Sequence, residues 1–322
     1  MAAVCLSVFT VTAFAEEDPV TVAAMQGPTG MGMAYLNSQS DQGNTEYRYN
    51  ITYASSPDEI TGELISGQID IAALPVNLAS VLFNKTQGQI LTAAVNTLGV
   101  LYIVENGEKV NSLADLAGRK VLASGKGSTP EYILNYLLEE NGLTDQAEVE
   151  YLTEHDEAVT AMVSGSADLV MIPEPKVTAL LGQVDTARIA VDITAEWENV
   201  YKAKTSDENI PQLVQGVIVV QKEFAQEHSD IVDSFLKDYA ASVEFTNSNM
   251  EEASQLIEEY GIVPKAAVAL KALPNCNIVC ITGDEMKDAL SGYLATLYEQ
   301  NPQSVGGALP ESDFYYNFYY NR

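Results

Sequence analysis

The segment Ser124-Gly125-Lys126-Gly127-Ser128-Thr129-Pro130-Glu131 gathers residue types that can hold an anion. Its glycines let the backbone approach a ligand closely, and Ser128 and Thr129 supply hydroxyls at the predicted start of a helix. A helix N-terminus carries partial positive charge and suits a carboxylate, sulfonate or phosphate. Lys126 adds a full charge in a chain that has few of them. The G-x-x-x-x-G-K-[ST] spacing of a P-loop is absent. Taken alone, the loop reads better as a capped turn with a solvated lysine.

A second loop, Gln26-Gly27-Pro28-Thr29-Gly30-Met31, has the same strand, glycine-bearing turn and helix order. In open α/β sheets ligands sit outside the carboxyl ends of strands. By that rule Pro75-Val76-Asn77, Asn96-Thr97 and Pro173-Glu174-Pro175 are further wall candidates. Asn77 and Asn96 can donate and accept, and Glu174 would accept from an amine or hydroxyl. The candidate ligand set is therefore Gln26, Gly27, Thr29, Gly30, Asn77, Asn96, Thr97, Lys126, Gly127, Ser128, Thr129 and Glu174. Trp197 and Tyr201 could cover an aromatic ligand, although lone aromatics usually lie in a core.

Catalytic signals are poor. The two histidines, His155 and His228, belong to no H-E-x-x-H motif, and G-x-S-x-G is absent. His155 is expected to hydrogen-bond at the start of its helix. No catalytic residue, metal or cofactor is expected.

The elements that would position these loops come in duplicate. Asp58 to Pro75 recurs ninety-eight residues later as Asp156 to Pro173. Each copy reads Asp-Glu, an apolar helical stripe, Ser-Gly, then Asp and a short apolar strand ending in Pro. A helix–turn–strand unit used twice predicts two similar α/β lobes, with a cleft between them where a small ligand binds. Ser56, Pro57 and Glu59 form a helix-start signature in the first copy. Strands alternating with helices predict largely parallel sheets. Leu91 to Val104 and Val214 to Gln221 are long enough to be strands crossing between the lobes. From Glu223 the pattern is mainly helical, and the aromatic tail Asp313 to Arg322 is expected to anchor on the first lobe.

The chain has 322 residues, enough for two domains, and 47% are hydrophobic. Residues 1–15 are uncharged and almost wholly apolar or small, and Ala13-Phe14-Ala15 fits a cleavage site. This reads as a secretory signal too short to span a membrane. It lacks a basic start, so the initiator is expected upstream. Cys5 as a lipid-attachment residue is the minor alternative. With 45 acidic and 16 basic residues the formal charge is −29, which disfavours nucleic acid and anionic membranes. Cys276 and Cys280 lie in an extended pattern that sets their Cα atoms about 13 Å apart, beyond disulfide reach. Only a local turn would bring them together.

The order of units resembles the type II periplasmic-binding-protein fold, specifically the nitrate/sulfonate/taurine and thiamine-precursor family of ABC-transporter solute-binding proteins. Ser56-Pro57-Asp58-Glu59, Ser66-Gly67-Gln68-Ile69-Asp70, Leu113-Ala114-Asp115-Leu116-Ala117-Gly118, Gly125 to Thr129, Met171 to Pro175 and Val219 to Phe224 carry the resemblance. It implies two lobes joined by crossing strands: a leader over 1–15, lobe 1 over 16–103 and 219–322, and lobe 2 over 104–218. Hinges are expected near Leu101–Glu105 and Gly216–Val220. The resemblance further implies an extracytoplasmic, non-enzymatic monomer that closes on a small-molecule solute and docks on a membrane permease. The similarity of the Lys126 loop to the anion-binding segment of sulfonate-type members points to a small organic anion. The alternatives are a neutral heterocycle such as a thiamine pyrimidine precursor, a pyrimidine-precursor synthase of the same fold, or a sensor or adhesin.

Overall fold

The computed structural model describes residues 18–204 and 210–316. The expected leader over 1–15 lies outside the described residues.

The first body opens with β1 (Val20–Met25), α1 (Pro28–Met31), α2 (Ala34–Asp41), β2 (Tyr49–Ala54), α3 (Pro57–Ile65), β3 (Ile71–Pro75), α4 (Val76–Lys85) and β4 (Ile90–Leu98). The second is built from β5 (Leu101–Asn106), β6 (Lys120–Ser124), α5 (Thr129–Glu140), β7 (Glu148–Leu152), α6 (His155–Val163), β8 (Leu169–Pro173), α7 (Lys176–Leu181), β9 (Ala187–Asp192) and α8 (Ile193–Lys204). The chain then returns to the first body through β10 (Val214–Gln221), α9 (Lys222–Glu227), α10 (Ser229–Ser248), α11 (Met250–Glu259), α12 (Ala266–Ala272), β11 (Ile278–Ile281) and α13 (Gly283–Gln300).

Two separate sheets result, one per lobe. Lobe 1 holds the order β11-β4-β10-β3-β1-β2, and lobe 2 holds β7-β6-β8-β5-β9. The two-lobed α/β architecture expected from the sequence is present, and its sheets are mixed. β1, β2 and β3 run parallel, as do β6, β7 and β8, while β10, β4, β11, β5 and β9 add antiparallel neighbours. The repeat copies fall in different sheets, α3–β3 in lobe 1 and α6–β8 in lobe 2. Both repeat strands are apolar and buried along all but their final proline, as central strands covered on two faces must be. The first copy starts as its sequence dictates: Ser56 Oγ accepts from Asp58 N–H at 3.3 Å, and Glu59 accepts from Ser56 N–H at 3.0 Å.

The crossings lie elsewhere than expected. β4 ends at Leu98 and β5 begins in the other sheet at Leu101, so Gly99-Val100 makes the first passage. All of β10 pairs with β3 and β4, so the return falls between Lys204 and Val214. Boundaries at 103/104 and 218/219, and hinges at Leu101–Glu105 and Gly216–Val220, would therefore cut strands whose backbone is held by ladder hydrogen bonds. The two passages pack on one another at Gly99. A Cβ there would meet Thr194 Oγ1 at 2.0 Å and Leu213 Cδ2 at 3.3 Å. Gly99→Ala is expected to cost about 1–3 kcal/mol through overpacking, read by urea unfolding. An unchanged midpoint would mean that Thr194 turns aside freely.

Aromatic packing joins the lobes at the side of these passages. Trp197 of α8 is buried against Tyr136 of α5, Tyr201 and Tyr293 of α13, and its Nε1–H donates to Pro211 O at 2.6 Å. Trp197 is thus core and does not cover a ligand. The described part of the tail anchors on lobe 1: Phe314 packs edge-on to Phe83, and Tyr316 N–H donates to Thr92 O at 2.8 Å. Cys276 and Cys280 are free, the first buried after a short 3₁₀ turn over Leu273–Asn275 and the second in β11.

Candidate functional site

β6 delivers the chain into the Ser124–Glu131 loop, where Gly125 and Gly127 take φ of +86° and +72°. That left-handed backbone is open to glycine at little cost, and a Cβ on residue 125 would meet Pro130 Cγ and Ser128 Oγ at 2.9 Å. Ser128 is the N-cap of α5, yet its hydroxyl folds back onto Gly125 O at 2.7 Å. The Gly127 N–H donates to the Glu131 carboxylate at 2.6 Å. Lys126 is exposed and forms no ion pair among the described residues. Thr129, the first residue of α5, is buried and points across to lobe 1.

On the lobe 1 side, Gly27 takes φ of +80° and opens α1. Gln26 Nε2–H donates to Gly261 O at 3.0 Å, tying the loop to the end of α11. A Cβ on Gly30 would stand 2.4 Å from Met25 O, so only glycine lets α1 turn back on β1. Asn96 donates to Thr29 O at 2.9 Å and accepts from Thr97 Oγ1 at 3.2 Å, and both side chains are buried. Asn96 and Thr97 thus hold α1 in place from beneath.

The lobes meet through polar side chains. Thr129 Oγ1 donates to Asn77 Oδ1 at 3.0 Å, bridging the N-terminal ends of α5 and α4. On a second line, Tyr102 of lobe 2 donates its hydroxyl to Asn275 O at 3.3 Å, and Asn275 Nδ2–H reaches Glu174 Oε1 at 3.5 Å. Glu174 is buried and accepts from Thr178 N–H and Thr178 Oγ1, each at 3.0 Å. Burial pushes its carboxyl above the usual range, against the pull of the Thr178 and Asn275 donors. Gly27 faces this corner, where an added Cβ would lie 3.9 Å from Pro175 Cδ.

Of the residues singled out in the sequence, the structure brings Gly27, Asn77, Thr129 and Glu174 to the inter-lobe boundary. Asn96 and Thr97 turn inward, and Gln26 and Ser128 spend side-chain groups on backbone carbonyls. Tyr102, Asn275 and Tyr293 were missed, because their roles arise from meetings distant in sequence. His155 departs from expectation as well. Its Nδ1 lies 2.6 Å from Ser124 Oγ, whose own proton goes to Met171 O, so the ring donates and braces the base of the loop. Burial, then Lys176, lowers its pKa and keeps it neutral. No metal-holding group of His, Cys, Asp and Glu occurs among the described residues. Two surface depressions of about 490 Å³ and 580 Å³, one beside Tyr151 and Gln300 and one beside Asp156 and Ser164, contain none of Gly27, Asn77, Thr129 and Glu174.

Solved structures resemble this architecture along nearly its full length. An ABC transporter protein from Parabacteroides distasonis is 23% identical, covering 94% of this chain and 99% of its own, with a TM-score of 0.76. The periplasmic aliphatic sulphonate binding protein SsuA of Escherichia coli is 18% identical, with 90% of each chain covered and a TM-score of 0.70. The alkanesulfonate-binding protein SsuA of Xanthomonas axonopodis pv. citri, solved bound to MOPS, is 15% identical over 92% of this chain and 96% of that one, with a TM-score of 0.66. No curated protein gives a significant match. The family described as ABC transporter, phosphonate, periplasmic substrate-binding protein matches residues 16–270. Two lobes in contact over a polar boundary, together with that match over most of the sequence, mean that the chain belongs to the periplasmic substrate-binding family of phosphonate-type ABC transporters.

Proposed function

We propose that this protein captures a small organic anion, a sulfonate or phosphonate, between its lobes and delivers it to the permease of an ABC importer. The observation that carries the reading is the Thr129–Asn77 hydrogen bond, which joins two helix N-terminal ends from opposite lobes at one place. At the start of α5 Pro130 has no N–H and Glu131 N–H donates to Ser128 O at 3.1 Å, so Thr129 supplies the amide there, and the helix N-terminus carries roughly half a positive charge. An anion on α5 is attracted there in spite of the chain's formal charge of −29. Lys126 adds attraction from the exposed side of the loop.

In this reading lobe 1 takes residues 18–98 and 214–316, lobe 2 takes 101–204, and closure turns on Gly99-Val100 and 210–213. The ligand favours the closed arrangement by touching both lobes, and the permease recognises that arrangement. The protein acts outside the cytoplasmic membrane as a monomer and performs no chemistry on its solute. One observation favours a neutral heterocycle instead: the Glu131 carboxylate already occupies the Gly127 N–H and sets a negative charge in the loop.

A thermal-shift screen separates the two. Methylphosphonate, ethanesulfonate, taurine, simple carboxylates and a thiamine pyrimidine precursor are each added to the mature protein. A ligand at a hundred times its Kd adds about 2.7 kcal/mol of stability. At least one sulfonate or phosphonate is expected to raise Tm, and Lys126→Ala is expected to weaken that hit roughly threefold with the ligand-free Tm unchanged. A shift with the pyrimidine alone would overturn the anion reading.

A further inference from the structure

Tyr293 of α13 is wholly buried, and its hydroxyl has no hydrogen-bond partner among the described residues. Its ring packs on Trp197, with centroids 5.5 Å apart. The hydroxyl lies beside Thr129, the first residue of the twelve-residue α5, but outside hydrogen-bonding geometry. Thr129 meanwhile gives its own hydroxyl proton to Asn77. A phenol from lobe 1 and the N-terminus of a lobe 2 helix therefore face one place, and both have hydrogen to donate. Buried donors are nearly always paired, so a lone one calls for an explanation.

Building on the reading of the cleft as an anion site, we infer that Tyr293 donates its hydroxyl proton to an oxygen of the anion seated at the N-terminus of α5. The same group is then gripped by lobe 2 through the Thr129 N–H, since Pro130 has no N–H and Glu131 N–H donates to Ser128 O at 3.1 Å, and by lobe 1 through the phenol. This requires a solute with at least two acceptor oxygens on one atom, as a sulfonate or phosphonate has, whereas a single ring nitrogen satisfies only one side. It also couples α13, a lobe 1 helix packed on α5, to occupancy of the site. Desolvation keeps the phenol protonated and hence a donor at any working pH.

The test compares wild type with Tyr293→Phe by calorimetric titration of methylphosphonate and ethanesulfonate, alongside ligand-free melting. A hydrogen bond to a charged acceptor is worth enough that its loss should weaken binding about ten- to a hundredfold. The ligand-free Tm should hold or rise, because an unpaired buried hydroxyl is removed while the ring's packing stays. Equal affinity in the variant overturns the inference and leaves the anion site standing, as a phenol satisfied by a trapped water would predict. A loss of affinity accompanied by a lower ligand-free Tm also overturns it, since the hydroxyl would then serve structure. If wild type binds neither probe, the anion reading itself fails and takes the inference with it.

Discussion

Glu105→Ala is expected to destabilise the protein by about 3 kcal/mol, a drop of roughly 6–12 °C in Tm for a chain of this size. Glu105 sits on β5 with its side chain 1% exposed and accepts from four donors. These are Lys109 N–H at 3.0 Å, Val110 N–H at 2.9 Å, Arg119 Nη1 at 3.1 Å and Arg188 Nη2 at 2.8 Å. One carboxylate thus fastens the loop after β5 to β9 and to the segment that precedes β6. Removing it strands two amides and leaves two guanidinium groups without their counter-ion. The arginines are 24% and 33% exposed, so water relieves part of the loss and the lower end of the range for buried pairs applies.

The same residue sets a pH dependence. Burial by itself would raise the Glu105 carboxyl, but the amides of Val110 and Lys109 and the Arg119 guanidinium outweigh it, so its pKa falls below the usual 4.5. A depressed carboxylate stabilises the fold above the unfolded value and loses that contribution as pH falls through the folded value. The gap between wild type and Glu105→Ala should therefore be full at pH 7 and shrink below about pH 4.5. Urea unfolding at both pH values measures it. A gap under 1 kcal/mol at neutral pH, or one that ignores acidification, would show that the arginines find other partners.

Thr129→Val is expected to weaken the best-binding anion about tenfold or more while lowering ligand-free stability by only about 1 kcal/mol. The change keeps the side chain's shape and removes the hydroxyl that reaches Asn77 at 3.0 Å. In the ligand-free protein one neutral hydrogen bond is lost. With an anion at the N-terminus of α5, a group that orders both lobes around the charge is lost too. Titration of methylphosphonate or ethanesulfonate reads the affinity, and melting reads the stability. Affinity equal to wild type would move the ligand away from α5.

Much of the architecture was legible because its signals are local. The capping residues of α3, the glycines after β6 and the apolar strands ending in Pro75 and Pro173 act through backbone sterics and burial within a few residues. Their recurrence at a fixed offset was enough to place two sheets in two lobes. The crossing was misplaced for the same reason: Leu91 to Val104 is one apolar run, and nothing local announces that Gly99-Val100 leaves one sheet for another. The antiparallel share of each sheet was equally hidden, since strand direction depends on where the chain returns.

By itself the sequence determined the repeated unit, the glycine loop before α5, the acidic balance and the poverty of catalytic motifs. Tertiary structure alone decided which side chains meet. Asn77 and Thr129 are 52 residues apart, Glu174 and Asn275 are 101 apart, and Tyr293 reaches the start of α5 from the last long helix. Asn96 has the same donors and acceptors as Asn77, yet it turns beneath α1 to hold Thr29 O. Residue type fixes what a group can donate or accept. The partner is set by chain folding over long separations, where no short-range pattern records the encounter.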